Sequence, residues 1–310
     1  MTPKPPKFKY FRKLTRLVRR GMTVCIAASC EYHNEPRIVL CHDWQQEIEG
    51  IGSAENRNKM DWVKDGWPTL MAGSLCHGEA LIGVYRSHLE RLDLTEENTL
   101  NEMKIPAQQY KAILANDYIN QLLGIDYNYF LQYGKDRFPD EFFREKLGEV
   151  ARIRLEASLL ICGFLKCQKI GPYNEGLQPF IFVVDDTNDH KDTVRGETDF
   201  ATIGSGSYVA SSTLFHRNQH WERDLMYTIY SVFEAKRFAE GVPGVGPNMV
   251  SLDVMEPGGI RSLSDAGYQY CEKLWSRFGP RPIREEHKAK FELKEEFLEP
   301  FSTTGDPWSD

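Results

Sequence analysis

The chain has 310 residues, 41% of them hydrophobic and 27% charged, enough apolar material to bury a full core in one large domain or two small ones. No run of about 18 apolar residues is present, so no membrane span is expected. The formal charge of -7 is unevenly placed: residues 1–22 hold eight basic side chains and no acidic one, leaving 30 basic against 45 acidic residues in the rest, a net -15. A body that acidic repels phosphate, which argues against a nucleic-acid partner.

Residues 1–22 lack the apolar centre of a secretory signal and read as a basic leader, removed or not translated, with Met22 a candidate start. Residues 23–30, TVCIAASC, are small and β-branched, and the polar turn EYHNEP separates them from a second apolar run, RIVLCHD. Two such runs around a polar turn predict a hairpin. Residues 44–58 read as extended or looped. Lys59–Val63, a tight turn through Gly66, and Trp67–Ser74 predict two more strands.

From Gly78 to about Leu92 the apolar spacing becomes helical, with Ala80, Leu81, Val84, Tyr85 and Leu89 on one face. Residues 100–152 are mostly helical by composition. Strands return at 157–164 and 179–186, DFATIGSGS (199–207) follows, 208–239 is helical in two stretches, and 248–254 is a last strand. Residues 256–310 are polar and charged and predict a C-terminal helical extension, with helices near 264–278 and 284–298, after a main domain over 23–255. Strand groups and helix groups are segregated rather than alternating, which predicts layered α+β packing instead of a doubly wound sheet.

The seven cysteines, Cys25, Cys30, Cys41, Cys76, Cys162, Cys167 and Cys271, are odd in number and form no CxxC pair or zinc-like cluster. They read as reduced thiols of a cytoplasmic protein. His42, His77 and His216 pair into no metal site and read as structural.

Thr23 carries the first candidate chemistry. A threonine hydroxyl is a weak nucleophile until a base stands beside it. A free α-amino group, with a pKa of about 7.7–8.0, is such a base. An N-terminal threonine supplies both groups, and loss of an initiator Met22 would expose Thr23. Asp43 ends the second strand of the opening hairpin, Lys59 follows sixteen residues later, and Gly73 fourteen after that, within Met71-Ala72-Gly73-Ser74. Much later, Gly204-Ser205-Gly206-Ser207 lies between a strand and a helix.

Over roughly residues 23–254, these residues and spacings resemble the β subunits of the proteasome core particle and the related bacterial heat-shock peptidase, within the N-terminal-nucleophile hydrolases. TVCIA matches the family opening of Thr, any residue, a small residue, an aliphatic, then Gly or Ala, and a Cys two positions after the Thr is similar to bacterial proteasome-like ring proteins. The resemblance implies a four-layer αββα sandwich and a threonine peptidase with no metal or organic cofactor. It implies Thr23 as nucleophile with its amine as base, Lys59 holding negative charge near the nucleophile, Asp43 pairing Lys59, and Ser205 bonding the Thr23 amine or a bound water. Gly73 N–H would face the developing oxyanion, a contact worth about 2.7–4 kcal/mol of barrier.

It further implies peptide or unfolded-protein substrates, a homo-oligomeric ring or spiral, and an ATP-dependent unfoldase as a partner. A small-amide amidase of the same superfamily and a catalytically inactive ring subunit are the alternatives. The sequence departs from the family in five places. Val242 and Val245 stand where an Asp and a Ser usually support the nucleophile, with Glu240 the nearest carboxylate. The first hairpin turn is about four residues longer, segment 100–152 is longer, and 256–310 has no family counterpart. Gly21 is followed by Met22 where precursors are cut between Gly and Thr, which favours a start at Met22.

Overall fold

A computed structural model describes residues 23–43, 45–48, 52–55, 59–167, 176–186, 193–242, 245–246, 250–279 and 298–300. The basic leader and nearly all of the helix expected near 284–298 lie outside the described residues.

The opening hairpin pairs β1 (Cys25–Tyr32) with β2 (Glu35–Asp43). Both strands run on through the expected polar turn, leaving only His33 and Asn34 to reverse the chain, at φ 53° and 63°. Positive φ at both positions is the geometry whose twist suits a two-residue hairpin. A ribbon of β3 (Gln45–Ile48) and β4 (Gly52–Glu55) follows, then β5 (Met60–Lys64) and β6 (Trp67–Gly73). After the helical segment come β7 (Ala157–Cys167), β8 (Gly176–Val184), β9 (Val194–Glu197) and β10 (Phe200–Ile203). The last strands are β11 (Val250–Glu256), β12 (Gly259–Leu263) and β13 (Leu298–Pro300).

Two larger antiparallel sheets result. One is six-stranded, in the order β10-β1-β2-β11-β12-β13, and the other five-stranded, β5-β6-β7-β8-β9. Because side chains alternate along a strand, each sheet splits its apolar residues between two faces. Cys25, Ala27, Ile38 and Leu40 of the first sheet meet Leu70, Leu160, Cys162 and Ile181 of the second in a buried middle layer. On its outer face the first sheet packs Val24, Ile26, Val39 and Cys41 against α5 (Ser207–His216), α6 (Leu225–Ala239) and α7 (Asp265–Phe278). The outer face of the second packs Met71, Leu159 and Ile161 against α1 (Leu75–Leu89) and α2 (Thr99–Leu123). Burial on both faces explains why TVCIAASC shows no polar alternation. The chain is therefore an α+β protein of two antiparallel sheets with helices on both outer sides.

Segment 100–152 forms three helices, α2, α3 (Tyr127–Arg137) and α4 (Asp140–Val150). Gly124 ends α2 in the left-handed conformation at φ 69°, as helix ends favour. After residue 255, where only helices were expected, β12 instead pairs with β11. Leu263, Cys271 and Leu274 then join the core beneath α6. Among the described residues no helix is long and apolar enough to cross a membrane. All seven cysteines are unpaired; six are buried and Cys76 is exposed.

The helical side also buries an ion pair. Arg217 reaches Glu234 of α6 with both Nε and Nη2, and the Glu234 side chain has no solvent exposure. Removing one partner strands the other charge away from water. Glu234→Ala should therefore cost about 3–5 kcal/mol, visible as a lower urea midpoint at unchanged m-value.

Candidate active site

Cross-strand register brings the first three candidate residues together. Cys25 lies opposite His42 in the β1–β2 pair, so the carboxylate of Asp43, one residue on, reaches the start of β1. One of its oxygens, Oδ1, accepts from both Thr23 Oγ1 and Lys59 Nζ, while Oδ2 accepts from Val24 N–H at 3.3 Å. Lys59 Nζ also donates to Thr23 Oγ1. The hydroxyl thus sits between an ammonium and a carboxylate, away from water: Thr23 is 2% exposed, Asp43 0%, and the Lys59 side chain 11%. Two charges in such a place persist only when paired and hydrogen-bonded.

Lys59 comes from the other sheet. It stands just before β5, and its carbonyl accepts Met71 N–H at 3.0 Å. A second tie between the sheets runs from Cys25 Sγ to the Met71 carbonyl at 3.4 Å. Burial pushes the Cys25 thiol up to about 12, so it stays a protonated donor.

Ser205 is on the opposite side of Thr23. Its Oγ accepts Thr23 N–H at 3.2 Å and lies 3.3 Å from the Thr23 carbonyl, to which it can also donate; Gly206 N–H donates to the same carbonyl at 3.2 Å. Gly204, which sequence reasoning did not single out, controls this approach. Its φ is +92°, and a Cβ there would lie 2.3 Å from the Thr23 carbonyl oxygen and 2.9 Å from Thr23 Cγ2. Only glycine lets the turn press so closely on Thr23. The four-residue Gly-Ser motif was the available signal, but it reads equally well as a flexible turn.

Gly73 ends β6, and its backbone is fixed by the neighbouring strand. Its φ is +98°, and a Cβ would fall 2.7 Å from the Glu156 carbonyl oxygen. Met71 N–H points to Lys59 and Ser74 N–H to the Glu156 carbonyl at 2.8 Å. Antiparallel alternation then turns Gly73 N–H to the same side as Met71 N–H, past the start of β5 and on the flank that carries Lys59.

Glu240, the carboxylate nearest the two valines, is turned elsewhere. It pairs with Lys236 at 2.7 Å and Arg237 at 3.0 Å. Buried Lys236 also donates to the Gly246 carbonyl at 2.6 Å, which holds down the loop that carries Val245. A Cβ on Gly206 would meet Val245 Cγ2 at 3.0 Å, so an apolar side chain lies behind the serine turn. His77 bonds the Tyr110 hydroxyl at 2.9 Å. Among the described residues no group of three or more His, Cys, Asp or Glu side chains could hold a metal ion.

No family model matches the chain, and no curated protein matches it. Its own geometry therefore carries the chemistry. A hydroxyl held by an ammonium and a carboxylate, with its own residue's nitrogen on a serine, is suited to nucleophilic attack if that nitrogen is free to act as a base.

His42 is buried beside this group, with Nδ1 3.3 Å from the Asp43 carbonyl oxygen. Burial lowers its pKa, against the opposing pull of Asp253 and Asp43. The unfolded chain therefore takes up this proton first as pH falls, so below the ordinary value of about 6.5 the unfolded state gains relative to the folded one. Unfolding free energy should fall between pH 7 and 5 with a contribution of up to about 1.4 kcal/mol per pH unit from this residue. Urea titrations of wild type and His42→Gln across that range check it, the variant showing the shallower slope.

Proposed function

We propose that the protein is a proteasome-like threonine peptidase of the N-terminal-nucleophile class, with Thr23 as the first residue of the active form. The observation that carries this reading is Thr23 Oγ1 bonded to both Lys59 and Asp43 while Thr23 N rests on Ser205. Two sheets with helices on both outer sides suit the αββα sandwich of that class.

The nitrogen of Thr23 is a base only as a free amine, so residues 1–22 must be absent from the active species. The amine takes the Oγ1 proton, directly or through one water. Oγ1 attacks the substrate carbonyl carbon, the carbonyl π pair moves onto oxygen, and Gly73 N–H stabilises that charge. Collapse of the tetrahedral species breaks the C–N bond, the amine passes its proton to the leaving nitrogen, and an ester on Thr23 remains. Water, deprotonated by the same amine, hydrolyses the ester. Lys59 favours the oxygen-centred charge throughout, and Asp43 fixes Lys59. Peptides or unfolded proteins are the substrates in this reading, acted on in the cytoplasm by a ring or spiral of identical subunits fed by an ATP-dependent unfoldase.

Intact-mass measurement should find a species that begins at Thr23. Thr23→Ala should abolish hydrolysis of unfolded casein, and Lys59→Ala should lower it about a hundredfold or more. Full activity in Thr23→Ala would end the mechanism. Cleavage of small acyl-amides but not casein would point to a narrow-cleft amidase, and an inert protein that begins at Met1 to a scaffold subunit.

A further inference from the structure

We propose that Asp186 is a positioning residue for Gly73 N–H, and that it acts by clamping the strand start on which Gly73 leans. The inference rests on the threonine-hydrolase reading and assigns a supporting residue to its oxyanion donor.

Gly73 lies opposite Ala157 in the β6–β7 pair, with the Glu156 carbonyl close enough to forbid any Cβ on it. Glu156 itself is a non-glycine residue at φ 57°, a conformation that costs free energy and persists only where its surroundings impose it. The wall that aims the Gly73 peptide is therefore strained and needs an external hold.

Asp186 supplies it. This residue is 5% exposed, and both of its carboxylate oxygens lie 3.1 Å from Leu155 N, immediately before Glu156. Its backbone carbonyl accepts from Arg154. Asp185 holds the far side, accepting Ser158 Oγ–H at 3.1 Å. Two adjacent aspartates thus grip the chain on either side of the strained residue.

The clamp is anchored to the long helix α2. Lys111 Nζ lies 3.1 Å from Asp186 Oδ2 and donates to Thr193 Oγ1 at 3.0 Å, while the Thr193 carbonyl accepts Asp185 N–H at 2.9 Å. A charged acceptor on a buried N–H is a strong hydrogen bond. Asparagine in its place would offer one neutral oxygen and would set an amide N–H against Leu155 N–H or Lys111.

The test separates the oxyanion donor from the nucleophile. A trileucine aldehyde adds Thr23 Oγ1 to its carbonyl, so its adduct places an oxyanion against Gly73 N–H. The matching trileucine vinyl sulfone alkylates Thr23 Oγ1 by conjugate addition: the oxygen bonds to the vinyl carbon β to the sulfone, the proton it loses goes to the α carbon, and no oxyanion forms at that point. In Asp186→Asn, kcat should fall about tenfold, the size expected when a donor is mis-aimed rather than removed, with KM unchanged. Aldehyde affinity should weaken by the same factor, and the rate of Thr23 labelling by the vinyl sulfone should be unchanged.

Unchanged aldehyde affinity, or equal losses with both probes, would overturn the proposal, since a merely structural role moves the two together. If Asp186→Asn does not fold, Lys111→Met removes the partially exposed anchor and should show the same split, less strongly; its absence there overturns the proposal equally. Wild-type protein that is not labelled at Thr23 would instead defeat the hydrolase reading itself, and this inference with it.

Discussion

A carboxylate with no solvent exposure and an ammonium with almost none can coexist in a protein interior only as partners, and Asp43 and Lys59 are such a pair. Asp43 belongs to the last residue of a hairpin in one sheet, and Lys59 to the first turn into the other sheet. Their pairing is therefore also a constraint on how the sheets stack. It demands that the end of β2 and the start of β5 come together at one edge of the middle layer. Thr23 benefits from this demand, because its hydroxyl is the nearest group able to share both charges. The Cys25–Met71 bond and the Leu40, Leu70 and Leu160 layer keep the stack in the register that the pair requires.

Around this pair the chain repeatedly uses glycine where backbone must meet backbone. Gly204 presses on Thr23 and Gly73 on Glu156, both at positive φ, and in each case a methyl group would push apart two segments far separated in sequence. The result is a Thr23 backed by the main chain of the Gly204 turn, and a Gly73 peptide held against Glu156, neither of which can swing away. A hydrogen-bond donor that is already aimed spends no reorganisation energy when charge develops, so this rigidity is where the site's chemistry would come from.

Much of this was legible beforehand, and the reasons are local. The opening hairpin alone sets the end of β2 beside the start of β1, and so Asp43 near Thr23, whereas Lys59 was legible only through the family resemblance of its spacing. Ser205 was legible because a short polar turn between a strand and a helix must sit at a sheet edge. What was not legible depends on partners distant in sequence. The role of Gly204 follows from β10 being the neighbour of β1, a pairing no local pattern announces. Asp186 reads as the end of an apolar strand, and only the fold shows it reaching Leu155. β12 was missed because GIRSL is short and carries a charge, and its strand character comes from the open edge of β11 beside it. Glu240, the carboxylate nearest the two valines in sequence, is drawn instead to Lys236 and Arg237, one turn back on the same helix.

Those two cations also bear on how the site can work with valines at 242 and 245. Lys236 is buried, pairs with Glu240 and ties the Gly246 carbonyl to α6. Among the described residues, Ser205 and Gly206 are the groups bonded to the Thr23 backbone on that side. A serine hydroxyl can accept from the nitrogen and donate to the carbonyl of the same residue, as the 3.2 and 3.3 Å separations allow. It thereby fixes the Thr23 nitrogen relative to Oγ1, which is the one geometric requirement for a residue that is to be its own base. Val245, packed behind Gly206, adds no polar group and fills the space beneath the turn, while Ser205 itself faces solvent.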